Sequence, residues 1–289
     1  MKKVVAIVGP TGSGKTGLSI ALAKQYGFEI INGDSVQVYK RLNIGSAKIK
    51  EEDKQGIKHH LFDVKDPEDT YTVYDFQTDV RKKIDEISLP MIVGGTGLYI
   101  KAALYDYEFS DEKKDKDFEK KHEHLSDEAL YHKLLDLDPN IKIDQYNRRR
   151  VLRALEQAIN GSLRSKKTNK DDLLYEALII YLDLDRDILE DLLYVRLEKQ
   201  LKDGFIKEVE ALRNDGIHIN AIGYKQIDQF LDNQLTYEEM KLQIIKKSRQ
   251  LAKKQKTWFK NQMYVHMIDA LSPNVFKQAS VLIDNFLKN

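Results

Sequence analysis

Near its start the chain runs Gly9-Pro10-Thr11-Gly12-Ser13-Gly14-Lys15-Thr16, which satisfies every fixed position of G-x-x-x-x-G-K-[ST]. Such a run constrains the fold because it has to join a buried strand to a helix. Val4-Val5-Ala6-Ile7-Val8 precedes it, short, apolar and rich in β-branched residues, as a strand covered on both faces would be. Leu18, Ala21 and Leu22 follow at helical spacing. The glycines let backbone N–H groups close on phosphate oxygens, and the helix N-terminus adds a partial positive charge. Lys15 supplies a point charge and Thr16 a hydroxyl for Mg²⁺. The competing reading, a glycine-rich turn without a ligand, is disfavoured by motif and context together. The loop specifies a polyphosphate without specifying ATP. There is no evident carboxylate closing an apolar strand, which weakens the motor-ATPase reading.

The same alternation continues downstream. Glu29-Ile30-Ile31-Asn32 reads as a second strand, residues 61–64 as another, and Pro90-Met91-Ile92-Val93 as a further buried one. Thr72 with Asp75 has the spacing of an N-capping pair, opening a helix to about residue 87. Near Ser110 the pattern changes: residues 111–160 are charged and helical, and 161–169 form a polar, basic linker. Strand character returns at 174–182, and helices then dominate, with a last strand at 264–268. This predicts an α/β fold, a P-loop NTPase-like parallel sheet core covered by helices on both faces. The core comprises 1–110 and 172–289, and 111–171 is a helical insertion.

The 289 residues carry a net charge of +1, so the distribution of charge matters more than its sum. From Lys241 to Ile268 there is no Asp or Glu, while Lys246, Lys247, Arg249, Lys253, Lys254, Lys256 and Lys260 fall inside. A second basic run holds Lys142, Arg148, Arg149, Arg150, Arg153, Arg164, Lys166, Lys167 and Lys170. Either run can grip phosphates or be a solvated helix face. With no cysteine, disulfides, thiolate zinc sites and a cysteine nucleophile are excluded. No apolar run reaches the roughly 20 residues of a spanning helix, and a cytoplasmic location is expected.

Two further loops follow strands. Asp34-Ser35-Val36-Gln37-Val38-Tyr39 comes after the second strand, and ligand groups in such sheets gather beyond the carboxyl ends of strands. Asp34 can ligate Mg²⁺ through water, accept a proton from a nucleophile, or simply cap a helix. Gly94-Gly95-Thr96-Gly97-Leu98-Tyr99 ends another buried strand. There Thr96 can meet a phosphate or a base, or cap the next helix. His59 and His60 read as structural, since no partner lies at zinc spacing. Trp258 and Phe259 read as core.

These loops occur in order with Ile44-Gly45-Ser46-Ala47-Lys48, His59-His60-Leu61-x-Asp63, Arg153-Ala154-Leu155-Glu156 and Ala221-Ile222-Gly223-Tyr224-Lys225-Gln226. Arg249-Gln250-Leu251-Ala252-Lys253-Lys254-Gln255-x-Thr257-Trp258-Phe259 follows. The set resembles the bacterial tRNA dimethylallyltransferase (tRNA isopentenyltransferase) family over nearly the whole chain. The resemblance implies transfer of a dimethylallyl group from dimethylallyl diphosphate to N6 of adenosine 37, 3′ of the anticodon in tRNA, with Mg²⁺. It implies that Asp34 is the base at N6 and that Thr96 sits at the reaction centre. Thr11, Gly12, Ser13, Gly14, Lys15 and Thr16 would bind the donor diphosphate, helped by Arg196. Asp34, Ser35, Val36, Gln37, Arg149, Arg150 and Arg153 would meet the anticodon stem-loop. Departures are Ser46 in place of the usual Thr, Ile49 in place of Pro, Tyr146-Asn147 in place of Asn-Asp, and Leu192 where a second arginine is common.

Three other readings compete. A small-molecule P-loop kinase would use the loop for ATP and Asp34 for an acceptor hydroxyl, but it leaves both basic runs unexplained. An adenylate prenyltransferase differs in not needing tRNA. A non-catalytic RNA-binding protein conflicts with an intact Lys15, Thr16 and Asp34.

Overall fold

Val4 to Val8 are buried on both sides in the computed structural model, which describes residues 1–107, 115, 117–166 and 172–288. They belong to β1 (Lys3–Val8), and the alternation of a strand splits them between two cores. Val4, Ala6 and Val8 pack with Phe76, Val80, Ile84 and Ile100 on one face, while Val5 and Ile7 pack with Leu18, Leu22, Ala279 and Ile283 on the other. A strand enclosed on both faces can take apolar residues at every position, which is why this run shows no polar alternation.

The other strands are β2 (Glu29–Asn32), β3 (His59–His60), β4 (Pro90–Gly94), β5 (Glu176–Asp183) and β6 (His266–Asp269). They form one sheet in the order β3-β2-β4-β1-β5-β6, parallel at every pairing. Val5 of β1 lies opposite Met91 of β4 and Leu178 of β5. Because all strands run the same way, the loops that follow them share one edge.

The expected strand at 61–64 is a correction. Leu61 and Asp63 have φ of 63° and 53°, which extended backbone does not permit, and the edge strand is His59–His60 instead. His60 Nε2 meets Glu29 at 2.8 Å and His59 Nδ1 meets the Ile57 carbonyl at 2.8 Å. Both histidines are therefore tied to this edge.

Helices α1 (Lys15–Tyr26), α2 (Val73–Glu86) and α3 (Gly97–Leu104) connect the early strands. The capping pair expected for α2 is present: Thr72 Oγ1 accepts from Asp75 N at 3.1 Å, and the Asp75 carboxylate accepts from Thr72 N at 2.7 Å. Helices α4 (Phe118–Lys121), α5 (Asp127–Leu137) and α6 (Arg148–Ile159) come next in the chain. After β5 come α7 (Arg186–Lys202), α8 (Phe205–Asn214), α9 (Tyr224–Leu231) and α10 (Tyr237–Gln262). These four share a core of Leu193, Leu197, Phe205, Val209, Tyr224, Ile227 and Ile244. Helix α11 (Val275–Lys288) follows β6 and supplies Ala279 and Ile283 to the sheet.

Two compact units result: Met1–Tyr105 with Leu173–Asn289, and Asp106–Asp172. The second has its own core, in which Leu130 and Leu134 of α5 meet Val151, Leu152 and Leu155 of α6. Lys167, Lys170 and the boundaries expected at 110/111 and 171 lie outside the described residues.

Candidate active site

The phosphate loop leaves β1 at Gly9 and enters α1 at Lys15. Gly12 and Gly14 have φ of 89° and 76°, a backbone region glycine adopts without steric cost. Gly14 is also the N-cap of α1, with no side chain to satisfy the first helical N–H groups. Those donors are left for an anion. Lys15 folds back over the loop, its Nζ donating to the carbonyls of Pro10 at 2.7 Å and Gly9 at 3.1 Å. Burial pulls its pKa down to about 8, Asp34 nearby raises it, and Arg196 lowers it. Ser13 is buried, and its Oγ has no hydrogen-bond partner among the described residues.

Asp34 follows β2 at the same edge. Its N–H donates to Asn32 Oδ1 at 2.9 Å, and its own Oδ1 accepts from Val36 N at 2.8 Å. No helix follows within the loop, so the carboxylate closes a turn and caps nothing. Asn32 is fully buried and also donates to the Asp34 and Leu61 carbonyls, fixing where the turn begins.

Thr96 occupies the N-cap of α3 without making a side-chain cap bond. Its Oγ1 accepts from Ser35 N at 3.2 Å and lies 3.4 Å from Ser35 Oγ. The loop after β4 is thereby joined to the loop after β2. Their approach requires glycine: a Cβ on Gly94 would overlap the Gly33 backbone. From α10, Gln255 donates to the Gly95 carbonyl at 2.8 Å, and Trp258 packs over Gly97. Phe259 is fully buried and Trp258 partly so, as core residues are.

Arg196 on α7 completes the cluster. Burial pulls its guanidinium below the ordinary value, and Asp34 pulls it back up. Neither Lys15 nor Arg196 forms a direct ion pair among the described residues. Thr11 and Gly12 lie in the loop's turn, and Leu192 of α7 is the side chain nearest to Gly12. Ser35, Val36 and Gln37 are partly buried beside Asp34, with the Gln37 amide donating to the Ser46 carbonyl at 3.0 Å.

The donor set suits Mg²⁺. Among the described residues no three His, Asp or Glu side chains gather to hold a metal alone. Mg²⁺ takes one or two protein oxygens and fills its shell with water and substrate phosphate. The Thr16 hydroxyl, at the first turn of α1, has no protein partner among the described residues, and Asp34 offers a carboxylate oxygen at the same edge.

One carboxylate was missed in the sequence. Asp183 does close an apolar strand, at the end of β5 beside β1. Lys256 holds it at 2.7 Å, a partner 73 positions away that no local pattern announces. The acid-free stretch of α10 needs a related correction. Arg249 pairs with Glu190 at 2.7 Å and Lys241 with Glu198 at 2.6 Å, both from α7. Lys253 and Lys254 remain exposed and unpaired among the described residues.

In the second unit, Arg148 is structural, donating to the carbonyls of Leu125 and His122 and to Asp127. Arg153 pairs with the buried Glu156 at 2.6 Å. Arg149 and Arg150 are exposed on α6. Arg164 is lowered by burial and by Arg150 and Arg153, with Tyr107 opposing.

The family model "IPP transferase" matches residues 37–262, and "Isopentenyl transferase" matches 2–66. A tRNA dimethylallyltransferase of Aster yellows witches'-broom phytoplasma is 46% identical, over 100% of this chain and 99% of the relative. The crystal structure of a tRNA isopentenylpyrophosphate transferase from Bacillus halodurans is 36% identical, with a TM-score of 0.76, over 100% of this chain and 99% of that one. A eukaryotic dimethylallyltransferase acting on tRNA has a TM-score of 0.84 at 26% identity, over 100% of this chain and 80% of that one. Full-length identity well above what fold alone requires, together with a model covering most of the chain, decides the matter: the protein belongs to the IPP transferase family, as a tRNA dimethylallyltransferase.

Proposed function

We propose that the phosphate loop holds the diphosphate of dimethylallyl diphosphate and that Asp34 takes the proton from N6 of adenosine 37 in tRNA. The observation that carries this reading is the meeting of three loops at one sheet edge. Asp34 stands in the field of the unpaired Lys15 and Arg196, with Thr96 hydrogen-bonded to Ser35.

The chemistry follows from the two reactants. The N6 amine is a weak nucleophile because its lone pair is delocalised into the ring. The allylic C–O bond of the donor, in contrast, ionises readily. As it breaks, its electrons go to the diphosphate, the N6–C1 bond forms, and the N6 proton passes to Asp34. Lys15, Arg196 and the loop amides of Gly12, Ser13, Gly14, Lys15 and Thr16 face the charge growing on the leaving group. When bound at Thr16, Mg²⁺ supplies further charge neutralisation there. Thr96 and Ser35 hold the two loops in register, so that base and donor stay in line.

Residues 111–171 serve in this reading as the tRNA-contacting insertion, through the exposed Arg149 and Arg150, with Arg153 held by Glu156 behind them. Ser35, Val36 and Gln37 meet the target nucleotide, which leaves its stack at a cost of a few kcal/mol. The reaction belongs in the cytoplasm, where tRNA is. No described helix is long and apolar enough to cross a membrane.

The test is incubation with unmodified tRNA, dimethylallyl diphosphate and Mg²⁺. One prenyl group is expected on adenosine 37, with none transferred to free adenylate and no phosphate transferred from ATP. Prenylation of adenylate without tRNA would overturn the proposal.

A further inference from the structure

Asn43, Ile44 and Gly45 direct successive backbone N–H groups at one carboxylate. Glu208 on α8 accepts them at 2.9, 2.7 and 3.0 Å, and the buried Tyr224 hydroxyl donates to it at 2.7 Å. From the other side Gln200 on α7 donates its amide to the Ile44 and Gly45 carbonyls at 2.6 and 3.0 Å. The rings of Phe205 and Tyr224 close on Gly45, where a Cβ would overlap both. Helices α7, α8 and α9 thus grip one short stretch by its donors and its acceptors. Amides converging on an ionised group make a nest, and such charge-assisted bonds are roughly twice as strong as neutral ones.

The gripped stretch itself holds a side chain. The carbonyls of Ser46 and Ala47 accept from the Gln37 amide at 3.0 and 3.4 Å. Gln37 stands three residues beyond Asp34. Lys48 ties the end of the same stretch to the Tyr39 carbonyl at 2.7 Å, so both sides of the Asp34 loop are anchored.

We infer that Glu208 is a positioning residue for RNA. It fixes residues 43–47 by their amides, and their carbonyls fix the Gln37 side chain that meets the substrate. The inference rests on the reading of Gln37 as an RNA contact. Glu208→Gln replaces an acceptor-only group by one that carries two donors, setting N–H against N–H at the nest.

A double-mutant cycle on the full-length enzyme separates this role from general stabilisation. Wild type, Glu208→Gln, Gln37→Ala and the double variant are compared for kcat and for KM of tRNA at saturating donor. Binding of inorganic diphosphate serves as the control. Glu208→Gln is expected to raise the KM for tRNA about tenfold, as loss of charge-assisted bonds would, with diphosphate binding unchanged. In the Gln37→Ala background the same change is expected to cost less than about twofold, because coupled residues are not additive. An equal cost in both backgrounds, or a parallel loss of diphosphate binding, would overturn the inference and leave the RNA reading intact. An unchanged KM in Gln37→Ala alone would overturn both. If Glu208→Gln does not fold, Tyr224→Phe enters the same cycle. A smaller, Gln37-dependent rise in KM supports the inference, and a rise independent of Gln37 overturns it.

Discussion

Lys15 and Arg196 at the phosphate loop and Lys241, Arg249 and Lys256 along α10 are basic side chains of one unit, placed under different electrostatic terms. The α10 residues are neutralised by Glu198, Glu190 and Asp183. The loop residues have no direct ion pair among the described residues and are partly desolvated, with Lys15 lowered to about 8. A cation with a close carboxylate has little left to offer a phosphate. One stripped of water and unpaired gains when an anion arrives. Reading charge along the chain therefore overstates the field of α10 and understates that of the loop.

The largest effect that can break this comparison is on Asp34, a carboxylate set among the unpaired cations. Asp34→Asn keeps the shape and removes the proton acceptor. Single-turnover rates are expected to fall about 10²–10⁴-fold while the affinity for tRNA holds. Wild-type rates in the variant would remove Asp34 from the chemistry.

The next effect separates the cations of α10 from one another. Replacing exposed Lys253 and Lys254 by Gln should reduce the slope of log affinity for tRNA against log salt by roughly 0.7–0.9 for each phosphate no longer neutralised. Replacing Lys256, already paired with Asp183, should leave the slope as it was. A slope that falls equally for Lys256 would mean that the ion pair opens to RNA.

A smaller effect sharpens the loop side. Lys15 is lowered from 10.5 to about 8, chiefly by burial. As pH rises through 8 its ammonium loses the proton, so the affinity for diphosphate should fall, and binding above that pH should take up a proton. The unfolded chain keeps this proton to the ordinary lysine value. Between about 8 and 10.5 it binds more protons than the native state, and the wild type should gain stability over Lys15→Gln as pH rises. Thermal melts of the two proteins across that range check the sign, and a fall in the Tm of the wild type relative to that of Lys15→Gln as pH rises would contradict it.

What was legible in the sequence was local. The spacing of Gly9, Gly14 and Lys15 and the apolar run before them announce strand, loop and helix, because that geometry is set within a few residues. The capping pair Thr72 and Asp75 is legible for the same reason. Residues 61–64 look like a strand by composition, yet Leu61 and Asp63 take positive φ, since the chain turns back under the Asp34 loop. Asp183 directly follows the strand expected at 174–182 and was legible there, whereas its pairing with Lys256, from another element, was not. The link from Thr96 to Ser35 spans 61 positions, and the Glu208 nest spans more than 160. Such tertiary bonds decide which of the legible residues meet.

The most direct test of this account is titration of inorganic diphosphate into wild type, Lys15→Ala and Lys256→Ala. The expected result is a loss of at least about tenfold for Lys15→Ala, since one charged hydrogen-bond donor is gone. A change under about twofold is expected for Lys256→Ala, whose charge Asp183 already answers. Equal losses in the two variants would contradict it.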